Sequence, residues 1–261
     1  MRVSIPSLLL WGFVGLVLLY LIVPILIVMP MSFSDARFLS FPPPAWSTRW
    51  YEAFFTSRNW MAAAQTSLLV AVLTALIATP LGTAAAYAIH NSTSRLVRSL
   101  QIVLLMPMMV PIIIVAIGVF FVYARTGLLA TRAGLVLADV MLSLPYVIIA
   151  VLAGLRGFDM TQEMVARSLG MNRLRSFMAV TLPQIKASVV TGALFAFITA
   201  LDETIVALFI SGGRYQTLTK RMFTALRDEI DPTIAAISSL LTAASFLIVL
   251  LAGASRRNSD A

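Results

Sequence analysis

The sequence predicts an all-α, polytopic membrane protein with six transmembrane helices. Of its 261 residues, 60% are hydrophobic and only 11% are charged, whereas about 25% of the residues in soluble domains are charged. The apolar residues are collected in six runs, each near the ~20 residues that a helix needs to cross the hydrocarbon core of a bilayer. So few polar residues cannot cover a water-facing surface, and lipid must therefore be part of the solvent.

The predicted spans are residues 8–31, 61–89, 100–124, 133–155, 188–210 and 233–253. The apolar run of the first is longer than the ~7–15 residues of a signal-peptide core, and no small-residue cleavage site follows it, which favours a retained helix. Pro80, Pro107, Pro111 and Pro145 interrupt the second, third and fourth spans. Each proline removes a backbone hydrogen bond, so these helices either line a pathway or are kinked for packing.

Several classes of function are disfavoured by what the sequence lacks. It contains no cysteine, which excludes disulfides and thiolate metal sites, and its single histidine, His90, offers little for metal or acid–base chemistry. The net charge of +8 is not gathered into a basic block with interleaved aromatic residues, so we expect no nucleic-acid partner. There is also no P-loop motif, and the chain therefore has no ATP-binding P-loop of its own.

A polar segment separates the fourth and fifth spans and includes "VARSLGMNRLRSFMAVTLP", residues 165–183. Upstream of it, Asp159 and Gln162 form a capping-box pattern, which predicts the start of a helix over 160–169. The segment is too polar to lie in a bilayer and too apolar to be a plain solvated loop.

The second half of this segment begins at Gly170, which suits the left-handed residue that ends a helix. Asn172 suits the N-cap of a second helix over 173–180, and Pro183 marks the start of the fifth span. The sequence thus predicts two short helices joined at a glycine hinge, which fixes the angle between them and presents one of them to a partner.

The segment resembles the cytoplasmic signature loop of ABC-type importer permeases, whose pattern is E-A-A, three residues, G, nine residues, I-x-L-P. Ala166, Gly170, Leu182 and Pro183 match at the family's spacing. The family's glutamate position holds a methionine, and Glu163 lies one residue earlier.

The resemblance extends over nearly the whole chain. The stretches "WSTRWYEAFF", "SLPYVIIAVLAGLRGFD" and "ALDETIVALFISG" are similar to the spermidine/putrescine-type branch of this family. It implies that the loop is a coupling helix that seats in a groove of a separate ATPase subunit. The residues that it assigns to this coupling loop are Glu163, Ala166, Arg167, Ser168, Gly170, Met171, Asn172, Arg173, Arg175, Leu182 and Pro183.

The resemblance also implies the orientation, which the nearly even distribution of Lys and Arg between the two sides leaves open. The coupling loop must be cytoplasmic, so both termini are cytoplasmic in a bacterial inner membrane. The predicted organisation is a first helix with an external loop over 1–60, a transmembrane core over 61–253 and a short cytoplasmic tail over 254–261.

The partners implied by the resemblance are a homologous second permease subunit forming a heterodimer, two copies of a cytoplasmic ATPase subunit, and an external substrate-binding protein. ATP and Mg would be bound by the ATPase, so the chain itself would hold no cofactor and would not be an enzyme. The permease would supply half of the translocation pathway.

Three acids lie within the predicted spans, namely Asp139, Asp202 and Glu203. An intramembrane acid costs ~2.5–3.5 kcal/mol on insertion scales, so it either hydrogen-bonds between helices or faces a water-filled path. We predict a substrate pathway lined by these acids and Pro111, in which a carboxylate attracts a substrate ammonium group. In polyamine permeases an acid follows the equivalent of this proline, whereas Ile112 stands here.

The substrate therefore remains open between a polyamine and a solute with fewer ammonium groups, such as γ-aminobutyrate, another amino acid or an opine. An alternative of another class is a self-sufficient secondary transporter or channel, although no convincing inverted repeat is found. An intramembrane enzyme would need a cluster of catalytic polar residues, and the chain offers only scattered acids.

The loop before the second span contains Trp46, Trp50 and Tyr51 in an amphipathic aromatic stretch. Two interpretations are open. Such residues form an aromatic belt at the membrane interface, or they provide a docking surface for the external binding protein.

Overall fold

A computed structural model describes the backbone of residues 5–229 and 231–257. It describes the side chains of the same residues except 5–9, 98, 229 and 248–257. Within this part of the chain every regular element is a helix, and the only β-type pairings are two isolated bridges, Ser34 with Trp46 and Gly212 with Tyr215. The all-α prediction is therefore confirmed.

The α-helices, in chain order, are α1 Ile5–Ser32, α2 Arg49–Thr56, α3 Arg58–Asn91, α4 Arg95–Leu105, α5 Ile112–Thr126, α6 Arg132–Arg156, α7 Thr161–Ser168, α8 Arg173–Ser176, α9 Leu182–Gln184, α10 Lys186–Asp202, α11 Ile205–Ile210, α12 Leu218–Thr224 and α13 Thr233–Arg257. A 3₁₀ turn, Met106–Met108, follows α4, and π-helical turns follow α8 at Phe177–Thr181 and α12 at Ala225–Glu229.

Three helices in the described part of the chain, α1, α3 and α6, are long and apolar enough to cross a membrane. Two bent pairs bring the number to five if each pair forms one span. The predicted sixth span, 233–253, lies within α13, Thr233–Arg257, and the part of this helix whose side chains the structure describes, Thr233–Leu247, is apolar.

The third predicted span, which was expected to be interrupted by Pro107 and Pro111, consists of two helical segments with a sharp bend between them. The segments Arg95–Met108 and Ile112–Thr126 meet at 102°. Pro111 lies at the N-cap position of α5 with φ −53° and ψ 127°, because a proline cannot donate the backbone hydrogen bond that would continue the preceding helix.

The fifth predicted span is also broken. Helix α10 ends at Asp202, Glu203 is extended with ψ 119°, and the short helix α11 follows. At its other end, α10 is bent by 82° from the segment Arg173–Gln184. Pro183 therefore lies inside the helical segment that precedes the bend, and not at the start of the span as predicted.

The chain divides into two compact units, of which one is Ala62–Arg221. In that unit α6 is the central helix and packs along α10. Val147 of α6 is fully buried between two glycines on neighbouring helices. A Cβ atom at Gly82 of α3 would lie 2.6 Å from the Val147 side chain, and one at Gly192 of α10 would lie 3.2 Å from it. The small residues thus permit close helix packing.

The other unit joins the beginning and the end of the chain, with α1 and α2 both packing on α13. The hydroxyl groups of Ser32 and Tyr51 are 2.7 Å apart, and the rings of Phe33 and Tyr51 are 5.0 Å apart. Arg49 forms an ion pair with Asp35 at 3.1 Å. These contacts fix α2 and the preceding loop against the end of α1.

Candidate functional site

The polar segment has the predicted hinge. Helix α7 ends before Gly170, whose φ of +95° is the left-handed region that favours glycine. The side chain of Asn172 accepts a hydrogen bond from the backbone N–H of Arg175 at 2.8 Å and thereby caps α8. Two short helices therefore meet at this glycine, although α8 is shorter than the predicted helix because it widens into the π-helical turn Phe177–Thr181.

Helix α7 begins at Thr161, with Met160 at the N-cap position, and the carboxylate of Asp159 just before it accepts a hydrogen bond from the Thr161 N–H at 2.9 Å. Hydrogen bonds from the Thr161 side chain and backbone lower the pKa of the exposed Asp159 carboxyl group. The predicted capping box is wrong in its second member, because the Gln162 side chain hydrogen-bonds Gln184 instead.

The outer face of the segment is apolar and exposed. Met164 and Val165 of α7, Leu169 beside the hinge and Leu174 of α8 are 55%, 54%, 81% and 68% exposed. We call these four residues the apolar ridge. Arg167, Arg173 and Arg175 are exposed around it, so the segment presents an apolar surface with a cationic rim.

The inner face of the segment is buried. Ala166 is 7% exposed and Glu163 only 1%. The Glu163 carboxylate accepts hydrogen bonds from the hydroxyl groups of Tyr87, near the end of α3, and Thr181, in the π-helical turn. Sequence reasoning missed both partners, since nothing in the pattern around either hydroxyl residue points to an acid that is distant along the chain.

A cavity of about 700 Å³ lies between α5, α6 and α10. Its lining residues come from the breaks in the third and fifth spans and from the faces of α6 and α10. They are Pro107, Met108, Val110, Ile112, Leu142, Tyr146, Ile198, Thr199, Asp202, Glu203, Thr204 and Ile205. The cavity is thus mainly apolar, with a few polar groups grouped around the end of α10.

Asp202 and Glu203 differ in their environments. Asp202 is exposed at the last position of α10. Glu203 is 8% exposed, and its two carboxylate oxygens accept hydrogen bonds from the backbone N–H groups of Val206 at 2.6 Å and Ala207 at 2.8 Å. Glu203 thereby satisfies donors in the first turn of α11 that have no partner within the helix.

The other two predicted pathway residues do not line this cavity. Asp139 is 4% exposed within α6, and among the described residues none hydrogen-bonds its carboxyl group. Pro111 lies at the start of α5, while the adjacent Ile112 lines the cavity. Tyr146 and Thr199, which sequence reasoning missed, lie in the wall with Asp202.

Helix α11 is fixed at its C-terminal end by Lys220 of α12, whose ammonium group donates hydrogen bonds to the backbone oxygens of Leu208, at 3.3 Å, and Ser211. Burial lowers the pKa of Lys220, because the ammonium group loses hydration. The Thr219 hydroxyl donates to the backbone oxygen of Glu203 at 2.8 Å. The break after Asp202 is therefore a hydrogen-bonded structure and not a loose loop.

The aromatic residues proposed for docking are not equally accessible. Trp46 is 72% exposed. Trp50 is partly buried with the Arg49 guanidinium group 4.6 Å from its ring centre, and the hydroxyl group of Tyr51 is paired with Ser32. Among the described residues no group of three His, Cys, Asp or Glu side chains could hold a metal ion.

Comparison with known proteins relates these features to transport. The chain is 30% identical over 241 residues to the spermidine/putrescine transport system permease protein PotC of Haemophilus influenzae, covering 92% of this chain and 93% of that protein. It is 29% identical over 240 residues to the putrescine transport system permease protein PotI of Escherichia coli K12, covering 89% and 85%.

The fold is shared with a solved bacterial alginate ABC transporter in complex with alginate pentasaccharide-bound periplasmic protein. That chain superposes with a TM-score of 0.76 at 15% identity, covering 98% of this chain and 95% of the other. The family profile of binding-protein-dependent transport system inner membrane components matches residues 78–261. The chain therefore belongs to this family of inner-membrane permease subunits of ABC importers.

Proposed function

We propose that the chain forms half of the pathway of an ATP-driven importer, and that its apolar ridge seats in a groove of a separate ATPase subunit. The main support for this coupling role is the exposure of the apolar ridge, which lies on a polar segment between two predicted spans. Leaving apolar side chains in water is unfavourable, and the surrounding arginines are poorly suited to the bilayer core. A protein groove with acidic edges would bury the apolar side chains and pair with the arginines.

The proposed substrate is a solute with ammonium groups, of the polyamine class. The relatives PotC and PotI are named for spermidine and putrescine, and Asp202 is an exposed carboxylate in the cavity wall of this chain. Tyr146 supplies an aromatic face in the same wall, which suits a cation. A cation entering the cavity would thereby regain part of the stabilisation that it loses on leaving water.

The remaining parts of the proposal concern the assembly. We infer that both termini and the polar segment between the fourth and fifth predicted spans, which we call the coupling segment, lie in the cytoplasm. We also infer that the second permease subunit is a homologous but different chain and that two ATPase subunits bind ATP and Mg. The external binding protein would dock on the opposite side, with Trp46 as the exposed aromatic residue of that surface. This chain would itself hold no cofactor.

The relatives do not favour the alternatives, whether the same machinery importing γ-aminobutyrate, another amino acid or an opine, or a self-sufficient transporter or channel. Ile112 stands where the polyamine permeases have an acid, so this chain has one carboxylate fewer for a solute with several ammonium groups. The number of ammonium groups on the solute is therefore the most informative variable. A series from a monoamine to a triamine therefore tests the substrate class directly.

The test is to purify the chain with its co-expressed partners and to reconstitute the complex in vesicles with the cognate binding protein. We expect a P-loop ATPase to copurify, uptake of labelled spermidine or putrescine, and loss of uptake on ATP depletion but not on addition of an ionophore. Uptake that follows an ion gradient without ATP would contradict the importer proposal. A binding protein stabilised in thermal-shift assays only by amino acids or opines would contradict the substrate class.

A further inference from the structure

Glu163 is an acid at 1% exposure, in a short helix whose other face is open. Burying a carboxylate is costly unless hydrogen bonds replace its hydration. The replacement comes from two side chains on different elements, the Tyr87 hydroxyl of α3 and the Thr181 hydroxyl of the π-helical turn. Three elements of the unit Ala62–Arg221 therefore meet at one carboxylate.

Tyr87 is held from more than one side. Its ring centre lies 4.7 Å from that of Phe177, in an edge-on arrangement, and 5.3 Å from the guanidinium carbon of Arg173. Arg173 and Phe177 follow the Gly170 hinge, whereas Glu163 precedes it. The end of α3 is thus bound to both halves of the coupling segment.

We propose that Glu163 is a positioning residue that joins the coupling segment to α3 and to the chain leading into α10, so that a displacement of the apolar ridge moves these helices together. This inference rests on the proposed coupling role of the segment. Hydrogen bonds to a charged acceptor are stronger than those between neutral groups, and a low-dielectric surrounding strengthens them further. A rigid linkage is what transmission requires, since a loose one would let the ridge move while the helices stayed in place.

The π-helical turn fits this linkage. Thr181 is fully buried within it, and π-helical turns are rare and frequently found at functional sites. Thr181 precedes the segment Leu182–Gln184, after which the chain bends into α10. The Glu163 carboxylate therefore contacts the chain five residues before the start of α10, the helix that ends at Asp202.

The experiment measures solute transported per ATP hydrolysed by the whole reconstituted importer. Thr181→Val removes the hydroxyl at constant shape, Thr181→Ser retains it, and Tyr87→Phe removes the other donor while keeping the ring contacts. We expect Thr181→Val and Tyr87→Phe each to lower the transport-to-hydrolysis ratio by roughly three- to tenfold, and Thr181→Ser to stay near the unmodified ratio. If one of these two variants fails to assemble, the transport-to-hydrolysis ratio of the other variant tests the proposal.

A second experiment measures the distance between α7 and α3, the two helices that the Glu163 hydrogen bond to Tyr87 joins. The chain contains no cysteine, so spin labels can be attached to introduced cysteines at Thr161→Cys in α7 and Ala88→Cys in α3, both exposed positions. In the assembled importer we expect one narrow distance distribution with and without ATP, and a broadened one when Tyr87→Phe or Thr181→Val is added. A merely structural role of the cluster would lower the yield of complex and leave the ratio and the distribution unchanged.

Two results overturn the inference, and they differ from failure of the proposed function. If the unmodified importer couples uptake to ATP but both variants assemble with an unchanged ratio, the linkage proposal alone is wrong. If the unmodified assembly shows no ATP-dependent uptake, the coupling role itself is wrong and the linkage proposal falls with it.

Discussion

Two adjacent acids at the end of α10 have different surroundings because the helix stops between them. In a continuous helix the two side chains would differ only by a rotation of ~100° about the helix axis. Here Glu203 is extended, and its carboxylate accepts hydrogen bonds from the N–H groups of Val206 and Ala207 in the next helix. Asp202 remains exposed in the cavity wall.

We predict that Asp202→Asn lowers uptake of a substrate with ammonium groups about tenfold, which corresponds to ~1.4 kcal/mol of lost interaction with a charged group. The amide keeps the volume of the side chain and removes only its charge, so the yield of assembled complex should not change. The measurement is initial uptake in vesicles, with the assembled complex quantified in parallel. Full uptake at normal assembly would leave Asp202 as a structural residue.

The neighbouring acid should behave differently. Glu203→Gln retains one carbonyl oxygen as an acceptor, but its amide nitrogen cannot accept the second backbone N–H group, so a buried donor loses its partner at a cost of ~1–3 kcal/mol. We expect a lower thermal unfolding temperature and a lower yield of complex, with normal uptake per assembled complex. A normal unfolding temperature combined with a loss of uptake would show that Glu203 acts on the solute.

Gly170 is the residue at which the two short helices of the polar segment meet. No heavy atom lies within 4 Å of the position that a Cβ atom would occupy, so a side chain has room there. The φ of +95° nevertheless strains a β-branched residue, at a cost of roughly 1–3 kcal/mol.

We therefore expect Gly170→Val to uncouple ATP hydrolysis from uptake while membrane insertion continues normally. Gly170→Asn, which tolerates positive φ better, is the matched comparison and should retain more transport. Both are tested by insertion, ATPase and uptake assays on the same preparations. Normal transport by Gly170→Val would contradict the hinge role.

At the residue level, sequence predicts groups that act through their own backbone and misses groups that act through a distant partner. Gly170 and Asn172 were predicted correctly because a left-handed residue and an N-cap are local features. The burial of Glu163 against Tyr87 and Thr181 was not, because it depends on three elements meeting in space. Gln162 failed as a capping residue for the same reason, since Gln184 competes for its side chain.

At the level of elements, the long unbroken helices were predicted well and the broken ones poorly. Helices α3 and α6 agree with their predicted spans to within a few residues. Pro80 lies inside the uninterrupted helix α3, whereas Pro111 begins a new helix after a bend of 102°. A proline removes a backbone hydrogen bond at both places. Whether the helix continues through the proline or ends there therefore depends on tertiary packing.

Where α3 meets α6, there is no room for a side chain at Gly82. A Cβ atom at Gly82 would lie 2.6 Å from Cγ1 of the fully buried Val147. We expect Gly82→Ala to destabilise the protein by ~1–3 kcal/mol through overpacking, and Val147→Ala to restore part of that loss when the two are combined. Thermal unfolding of the purified complex in detergent measures the four members of this cycle.

The control for this cycle is Gly118→Ala in α5, where no heavy atom lies within 4 Å of the added Cβ position. This substitution should be neutral or slightly stabilising, because alanine is the better helix former. A loss of stability equal to that of Gly82→Ala would mean that the effect does not come from the contact with Val147.

For the whole molecule, the unit Ala62–Arg221 connects the coupling segment to the cavity through a single helix. Helix α10 begins after the bend that follows the Glu163 cluster and ends at Asp202. Its 17 residues span about 25 Å. The two regions that we propose for ATPase coupling and for the solute therefore lie at opposite ends of one helix, an arrangement suited to transmitting a displacement between them.

Two arginines of the polar segment, Arg173 and Arg175, lie on the surface through which this unit would meet the proposed ATPase. Arg175 is exposed beside the apolar ridge, whereas Arg173 also lies over the Tyr87 ring, so Arg175 is the cleaner probe of an external contact. We expect Arg175→Glu to reduce the ATPase stimulation by loaded binding protein roughly fivefold, because a charge reversal turns attraction by an acidic groove into repulsion.

Lys186→Glu is the matched control for this prediction, since Lys186 is an exposed basic residue at the start of α10, outside the two helices that form the hinge. The alternative role of Arg175 is to hold lipid headgroups. Both variants are measured in detergent and in vesicles of zwitterionic or anionic lipid. A loss for Arg175→Glu alone, in every environment, indicates the ATPase contact. A loss confined to anionic vesicles, or shared equally by Lys186→Glu, indicates the lipid role, because only a headgroup contact depends on the charge of the bilayer.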